Sequence, residues 1–147
     1  FRRYGKIILF VLSMNGVVMA LSYTILPREN QIRIVGVGRL TTDDCIRMIR
    51  RVMSDPLCNF EASALVDLRA ATYEPQDMVD VIRIATTLEG FHAMLGSNIA
   101  IVARRSTIFF AEIFSAHVRT AANVAIKVFV EISAAEAFCS EHCLMAR

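Results

Sequence analysis

Little in this chain announces chemistry. No glycine-serine elbow, no complete phosphate loop and no paired carboxylates in a recognisable setting occur in its 147 residues. The usual nucleophile and nucleotide-binding reactions therefore have no foothold, and the reading is that the protein is not an enzyme. A surplus of one charge sign is also missing: 16 Lys and Arg against 14 Asp and Glu leave +2. Arg2, Arg3 and Lys6 supply that excess, since removing the three takes +2 to −1. The broad basic footprint of a nucleic-acid binder is absent. The four cysteines, Cys45, Cys58, Cys139 and Cys143, are sparse and irregularly spaced, which suits reduced thiols of a cytoplasmic protein better than a disulfide framework. Charge is lacking altogether from Ile7 to Leu26.

What the chain has is apolar residues, 55% of the total, with a mean hydropathy of +0.48. A length of 147 residues makes one domain with a sizeable core. Part of the hydropathy excess lies in residues 1–20, and a native start is not expected at Phe1. A signal peptide fits the basic start, the apolar run and the small-residue exit at Val18-Met19-Ala20. A membrane anchor reaches its required length only by consuming Leu21–Leu26, with Asn15 and Gly16 weakening its middle. The plainest reading makes residues 1–20 an upstream segment and places the domain at 21–147, because Leu21–Leu26 fits better as a strand. Contact with a membrane is expected only if residues 1–20 are a retained anchor.

The stretch Ala64–Met78 organises the rest. Ala64–Leu68 is a nearly unbroken apolar run, as in a strand covered on both faces. Asp67 predicts that the strand's carboxyl end opens into a loop, and Pro75 suits the first turn of a following helix. Before it, Ser22–Leu26 and Gln31–Val37 flank the turn Pro27-Arg28-Glu29-Asn30 and predict a hairpin, with a bulge or strand end at Gly36-Val37-Gly38. Thr41 or Thr42 caps a helix whose stripe is Cys45, Ile46, Ile49, Val52 and Met53, stopped by Asp55-Pro56. Its Arg47, Arg50 and Arg51 suit a solvated face near the helix end. The second helix, to Glu89, turns Met78, Val81, Ile82, Ala85 and Leu88 inward. Ser97–Val102 and Ala125–Val130 are further strands, Ser106 caps a helix over Thr107–Ala121, and Ser133-Ala-Ala-Glu136 is a capping box for a last helix. The pattern is α/β: a single mainly parallel five-stranded sheet with an opening antiparallel hairpin and about four helices.

The opening hairpin, the run Gly36–Thr42 into a helix ending at Asp55-Pro56, and the strands Leu65-Val66-Asp67-Leu68 and Ala100-Ile101-Val102-Ala103 resemble small bacterial STAS-like proteins. These are related in fold to anti-sigma-factor antagonists and, more distantly, to CRAL-TRIO domains. The resemblance covers about residues 21–140 and implies the fold more than a function. It also implies a phosphorylatable serine in an Asp-Ser-Ser-Gly motif after the central strand. The matching stretch here, Thr72-Tyr73-Glu74-Pro75-Gln76-Asp77, has no serine and is already acidic. A phosphoswitch is not expected.

Arg39, Arg69, Arg104 and Arg105 follow strands at the carboxyl edge, where with Ser106 they suit a carboxylate or phosphate. The plain alternative is solvated arginines, one of them paired with Asp67. Cys139, His142 and Cys143 share a helix face but lack a fourth ligand, so buried thiols beside a surface histidine are expected and no metal or other cofactor. His92 and His117 sit in no catalytic motif. Ile108, Phe109 and Ala116, with Val118, fall outside the apolar stripe Phe110, Ile113, Phe114, His117 and Ala121, and suit a protein interface or homodimer. The function expected is a non-enzymatic STAS-like binding or regulatory module acting through protein contacts, the alternative being a small carrier of an anionic or lipidic ligand held at the carboxyl edge or under the helices.

Overall fold

The structure, a computed structural model, describes residues 7–14, 17–59, 61–91, 98–122 and 124–145, with side chains from Leu21 onward except those of 121, 122 and 142–145. Ten elements follow one another: β1 (Ile7–Met14), β2 (Val17–Leu26), β3 (Gln31–Leu40), α1 (Thr42–Ser54), β4 (Ser63–Tyr73), α2 (Met78–Glu89), β5 (Ile99–Val102), α3 (Arg105–Ala122), β6 (Ile126–Phe129) and α4 (Ile132–Met145). The six strands form one sheet in sequence order. Pairing is antiparallel from β1 to β3 and parallel from β3 to β6. Each parallel step carries one helix, as a crossover between parallel strands requires.

The expected strands are all present, and the sheet has one more. β1 and the first residues of β2 come from the segment assigned outside the domain, and every residue of Ile7–Met14 pairs with β2 between Thr24 and Val17. No helix among the described residues is long and apolar enough to cross a membrane.

Strand alternation sends two sets of side chains in opposite directions. Ile99 and Ile101 of β5 join Ala85, Leu88, Ala111 and Val118 under α2 and α3. Ala100 and Val102 join Leu65 against Ala135 and Cys139 of α4. All four residues of β5 are buried, which is why its sequence is apolar without alternation. Leu21, Tyr23 and Ile25 of β2 pack with Met48 and Val52 of α1. The buried Tyr23 hydroxyl donates to Asp55 Oδ2 at 2.6 Å, tying the end of α1 to the sheet. Burial and that carboxylate push the Tyr23 phenol up to about 12.

Several local expectations are corrected. β4 runs on to Tyr73 instead of opening after Leu68, because it keeps pairing with β3 after β5 has ended opposite Asp67. Asp67 is tolerated within the strand by accepting three hydrogen bonds from Arg69, at 2.8 to 3.1 Å. The bulge expected at Gly36 is there: Val35 to Val37 of β3 spans Asp67 to Ala70 of β4, so the extra residue belongs to β4. A Cβ on Gly36 would stand 3.0 Å from Leu68 Cδ2. Pro75 precedes α2, whose cap is Asp77, accepting from the Val79 and Asp80 amides. The inward stripe of α2 includes Ile84, while Met78 and Ile82 are each 38% exposed.

Thr41 is the cap of α1, in a capping box with Asp44. Ser106 is not a cap: α3 starts at Arg105, and the Arg104 carbonyl accepts from the Thr107 and Ile108 amides. Nor do Ser133 and Glu136 form a capping box. α4 starts at Ile132, and the Glu136 carboxylate is drawn instead to Arg33 at 3.4 Å. Val118, expected at the flank of α3, is fully buried, because the helix turns Ala111, Ser115 and Val118 to the core.

Candidate functional site

The helical layer formed by α1, α2 and α3 does not close fully on the sheet. Between them lies a cavity of about 210 Å³. Its floor is Ile32 and Ile34 of β3, Ala64, Val66 and Leu68 of β4, and Ile99 and Ile101 of β5. Its roof comes from Met48, Ile49 and Val52 of α1, Val81, Ile84 and Leu88 of α2, and Phe110, Ala111 and Phe114 of α3. The sequence leaves this space open by placing small side chains at Ala64, Ala71 and Ala111, where longer ones would fill it. At one end lie Tyr73 and Phe110, their rings edge to face at 5.9 Å. At the other lie Cys58 and Asn59, the latter exposed.

The few polar groups on this lining are uncharged at neutral pH. The Tyr73 hydroxyl shares a 2.9 Å hydrogen bond with Thr42 Oγ1, and burial pushes the phenol up to about 12. Burial, aided by the Asp44 carboxylate, raises the Cys45 thiol to about 12 as well. Cys58 is raised by burial and by Asp55. A thiol held protonated is a poor nucleophile and a poor metal ligand. Among the described residues the lining thus offers no acid, base or thiolate, and it is mostly apolar.

The residues expected to bind an anion have other engagements or none. Arg69 is locked onto Asp67, whose hydrogen bond and charge raise the guanidinium pKa, with smaller help from Glu131 and Glu136. Its hydrogen bonds hold the Asp67 carboxyl below the usual range. Arg39 reaches Glu74 at 3.7 Å with both side chains largely exposed. Arg104, Arg105 and Ser106 are exposed at the start of α3.

Of the expected interface residues, Phe109 is 62% exposed and Ala116 is exposed, whereas Ile108 is half-buried against the core. Cys139 is buried, its thiol 3.7 Å from the Ala64 carbonyl. The side chains of His142 and Cys143, and His92 altogether, lie outside the described residues. Among the described residues no cluster of His, Cys, Asp or Glu is arranged to hold a metal. His117 Nδ1 pairs with Glu89, as a satisfied helix residue does. The cavity itself was not read from the sequence; the only trace there was a set of alanines at positions facing the core.

No family model matches the chain, and no curated protein matches it. Among solved structures it is similar to an uncharacterized protein of the DUF3478 family from Shewanella loihica PV-4, described as having a SpoIIAA-like fold. Identity is 14%, the TM-score is 0.49, and the match covers 92% of this chain and 94% of that one.

Proposed function

We propose that the protein is a non-enzymatic binding module that carries a small apolar, lipid-like ligand between its sheet and its three-helix layer. The observation behind this reading is the uncharged cavity of about 210 Å³. An engineered apolar cavity of about 150 Å³ stays dry and takes up benzene. Natural ligand sites are concave and mostly apolar, with a few polar groups to orient what they hold. Tyr73, Thr72 and Thr107 supply such groups at one end. The anionic form of the ligand has less support, since among the described residues no arginine or lysine lines the cavity.

The test is solvent extraction of natively purified protein, with mass spectrometry of the extract, beside a titration with the neutral fluorophore N-phenyl-1-naphthylamine. A co-purifying apolar molecule and saturable one-to-one uptake of the fluorophore are expected. Absence of both overturns the reading.

The exposed Phe109 beside Ala116 favours a second reading, in which the module also acts through protein contacts, including a homodimer, with no phosphoswitch serine. Phe109→Glu then converts a dimer to a folded monomer by light scattering. A wild-type chain that is monomeric at high concentration removes the dimer.

A further inference from the structure

The two ends of the buried cavity differ in the hydrogen bonds they have left to give. At the Cys58 end the Asn59 amide is already engaged: its Nδ2 donates to Asn30 Oδ1 at 3.0 Å, and its Oδ1 accepts from the Glu61 amide at 3.1 Å. At the other end Tyr73 of β4 reaches Thr42 of α1, which lies one turn before the lining residue Cys45 on the same helix face. Their 2.9 Å bond can run in either direction. Two hydroxyls carry two hydrogens, and the bond between them uses one. Neither residue makes another side-chain hydrogen bond among the described residues, so one hydroxyl hydrogen is left over. Thr107 is the complement. It is 5% exposed and lines the cavity one turn before Phe110. Its hydroxyl donates to the Arg104 carbonyl at 3.2 Å, which leaves the oxygen able to accept.

The charges around this end are matched or stand outside it. Arg47 is paired with Asp44, Arg83 with Asp43 and Asp80, and Arg39 with Glu74. Arg104 and Arg105 are exposed at the start of α3 and do not belong to the lining. Resting on the carrier reading above, we propose that the ligand is a neutral alcohol, whose apolar body lies between sheet and helices and whose hydroxyl meets Tyr73 and Thr107. Thr42 gives its hydrogen to Tyr73, and Tyr73, the member of the pair on the lining, gives its own to the ligand. A hydroxyl accepts and donates, so it answers Tyr73 and Thr107 together; a hydrocarbon answers neither. A carboxylate only accepts, meets the Thr107 lone pairs, and enters without a cation to replace its lost water.

The probes are 1-octanol, octanoate and propylbenzene, each competed against N-phenyl-1-naphthylamine on the full chain at neutral pH, where octanoate is ionised. 1-Octanol is expected to displace the fluorophore at concentrations at least about tenfold below those octanoate needs. Tyr73→Phe removes the donor and Thr107→Val the acceptor. Each is expected to weaken 1-octanol relative to propylbenzene by about three- to tenfold, the worth of one hydrogen bond. A merely structural role moves both ligands together and leaves their ratio alone. Circular dichroism checks the fold, and either variant serves alone if the other does not fold. Octanoate competing as well as 1-octanol, or a ratio unchanged in a folded variant, overturns the alcohol and leaves the carrier reading standing. Failure of the fluorophore and all three probes to bind overturns both.

Discussion

Ala111→Leu puts the cavity to the sharpest test. Ala111 sits on α3 with 8% of its surface exposed and lines the space directly. Leucine is nearly as good a helix former as alanine, so the backbone cost is small. At about 24 cal/mol per Å³ of void, a cavity of about 210 Å³ represents on the order of 5 kcal/mol of forgone packing. Three added carbons at about 0.8 kcal/mol each recover about 2 kcal/mol of it. For a domain of this size that raises Tm by roughly 4–8 °C. Wild type and variant should both be refolded from denaturant before thermal unfolding is followed by circular dichroism, so that any bound molecule is stripped. Uptake of N-phenyl-1-naphthylamine should weaken in the same variant, since the added side chain occupies the ligand's space. A site already packed to normal density gives the opposite sign, because overpacking costs about 1–3 kcal/mol. A lowered Tm with unchanged uptake of the fluorophore refutes the reasoning.

Tyr23→Phe removes the donor to the buried Asp55 and is expected to cost about 2 kcal/mol, measured by urea unfolding. Tyr23 and Tyr73, both pushed up to about 12, should ionise late in a 295 nm absorbance titration. Because these folded values are raised, the stability they contribute is full below the ordinary value of 10.0 and is lost as pH climbs through about 12. Asp67 has the reverse sign: its folded value is lowered, so its contribution is present above the ordinary 3.8 and fades as pH falls through the depressed value. Asp67→Asn should therefore lower stability at neutral pH and flatten its acid dependence, as followed by urea midpoints across pH. Cys45 and Cys58, held protonated, should resist iodoacetamide at pH 8 in the native state and react once unfolded.

The parts of the fold legible in the sequence are those in which one residue type answers one demand. β5 is apolar throughout because both of its faces are covered, and Asp55-Pro56 ends α1 because Asp55 takes the C-cap position and Pro56 cannot extend the helix. Other features depend on relations between distant segments. The strand character of Arg69–Tyr73 comes from β3 lying alongside it, and a run containing Arg69, Thr72 and Glu74 reads locally as a loop. Ser106 and Ser133 have the composition of caps, but the helices begin two residues earlier than either position needs. The stripe of α2 was misplaced between Ile82 and Ile84 because both are apolar, and only the fold shows that Ile84 turns to the cavity while Ile82 stays partly exposed. The cavity was the least legible of all, since an alanine facing a void and an alanine facing a tight contact are the same letter.

The bulge in β4 divides that strand into two reading frames. Ahead of it, the even positions Ala64, Val66 and Leu68 face the cavity; beyond it, Ala71 and Tyr73 do, and these are odd. The extra residue shifts the phase of the alternation within a single unbroken strand. An alignment of this chain with a relative lacking the bulge must open a one-residue gap between Leu68 and Ala71. Without that gap, every position from Ala71 to Tyr73 is matched to a residue on the opposite side of the sheet, and substitutions that shape the cavity are counted as substitutions at the surface beside α4.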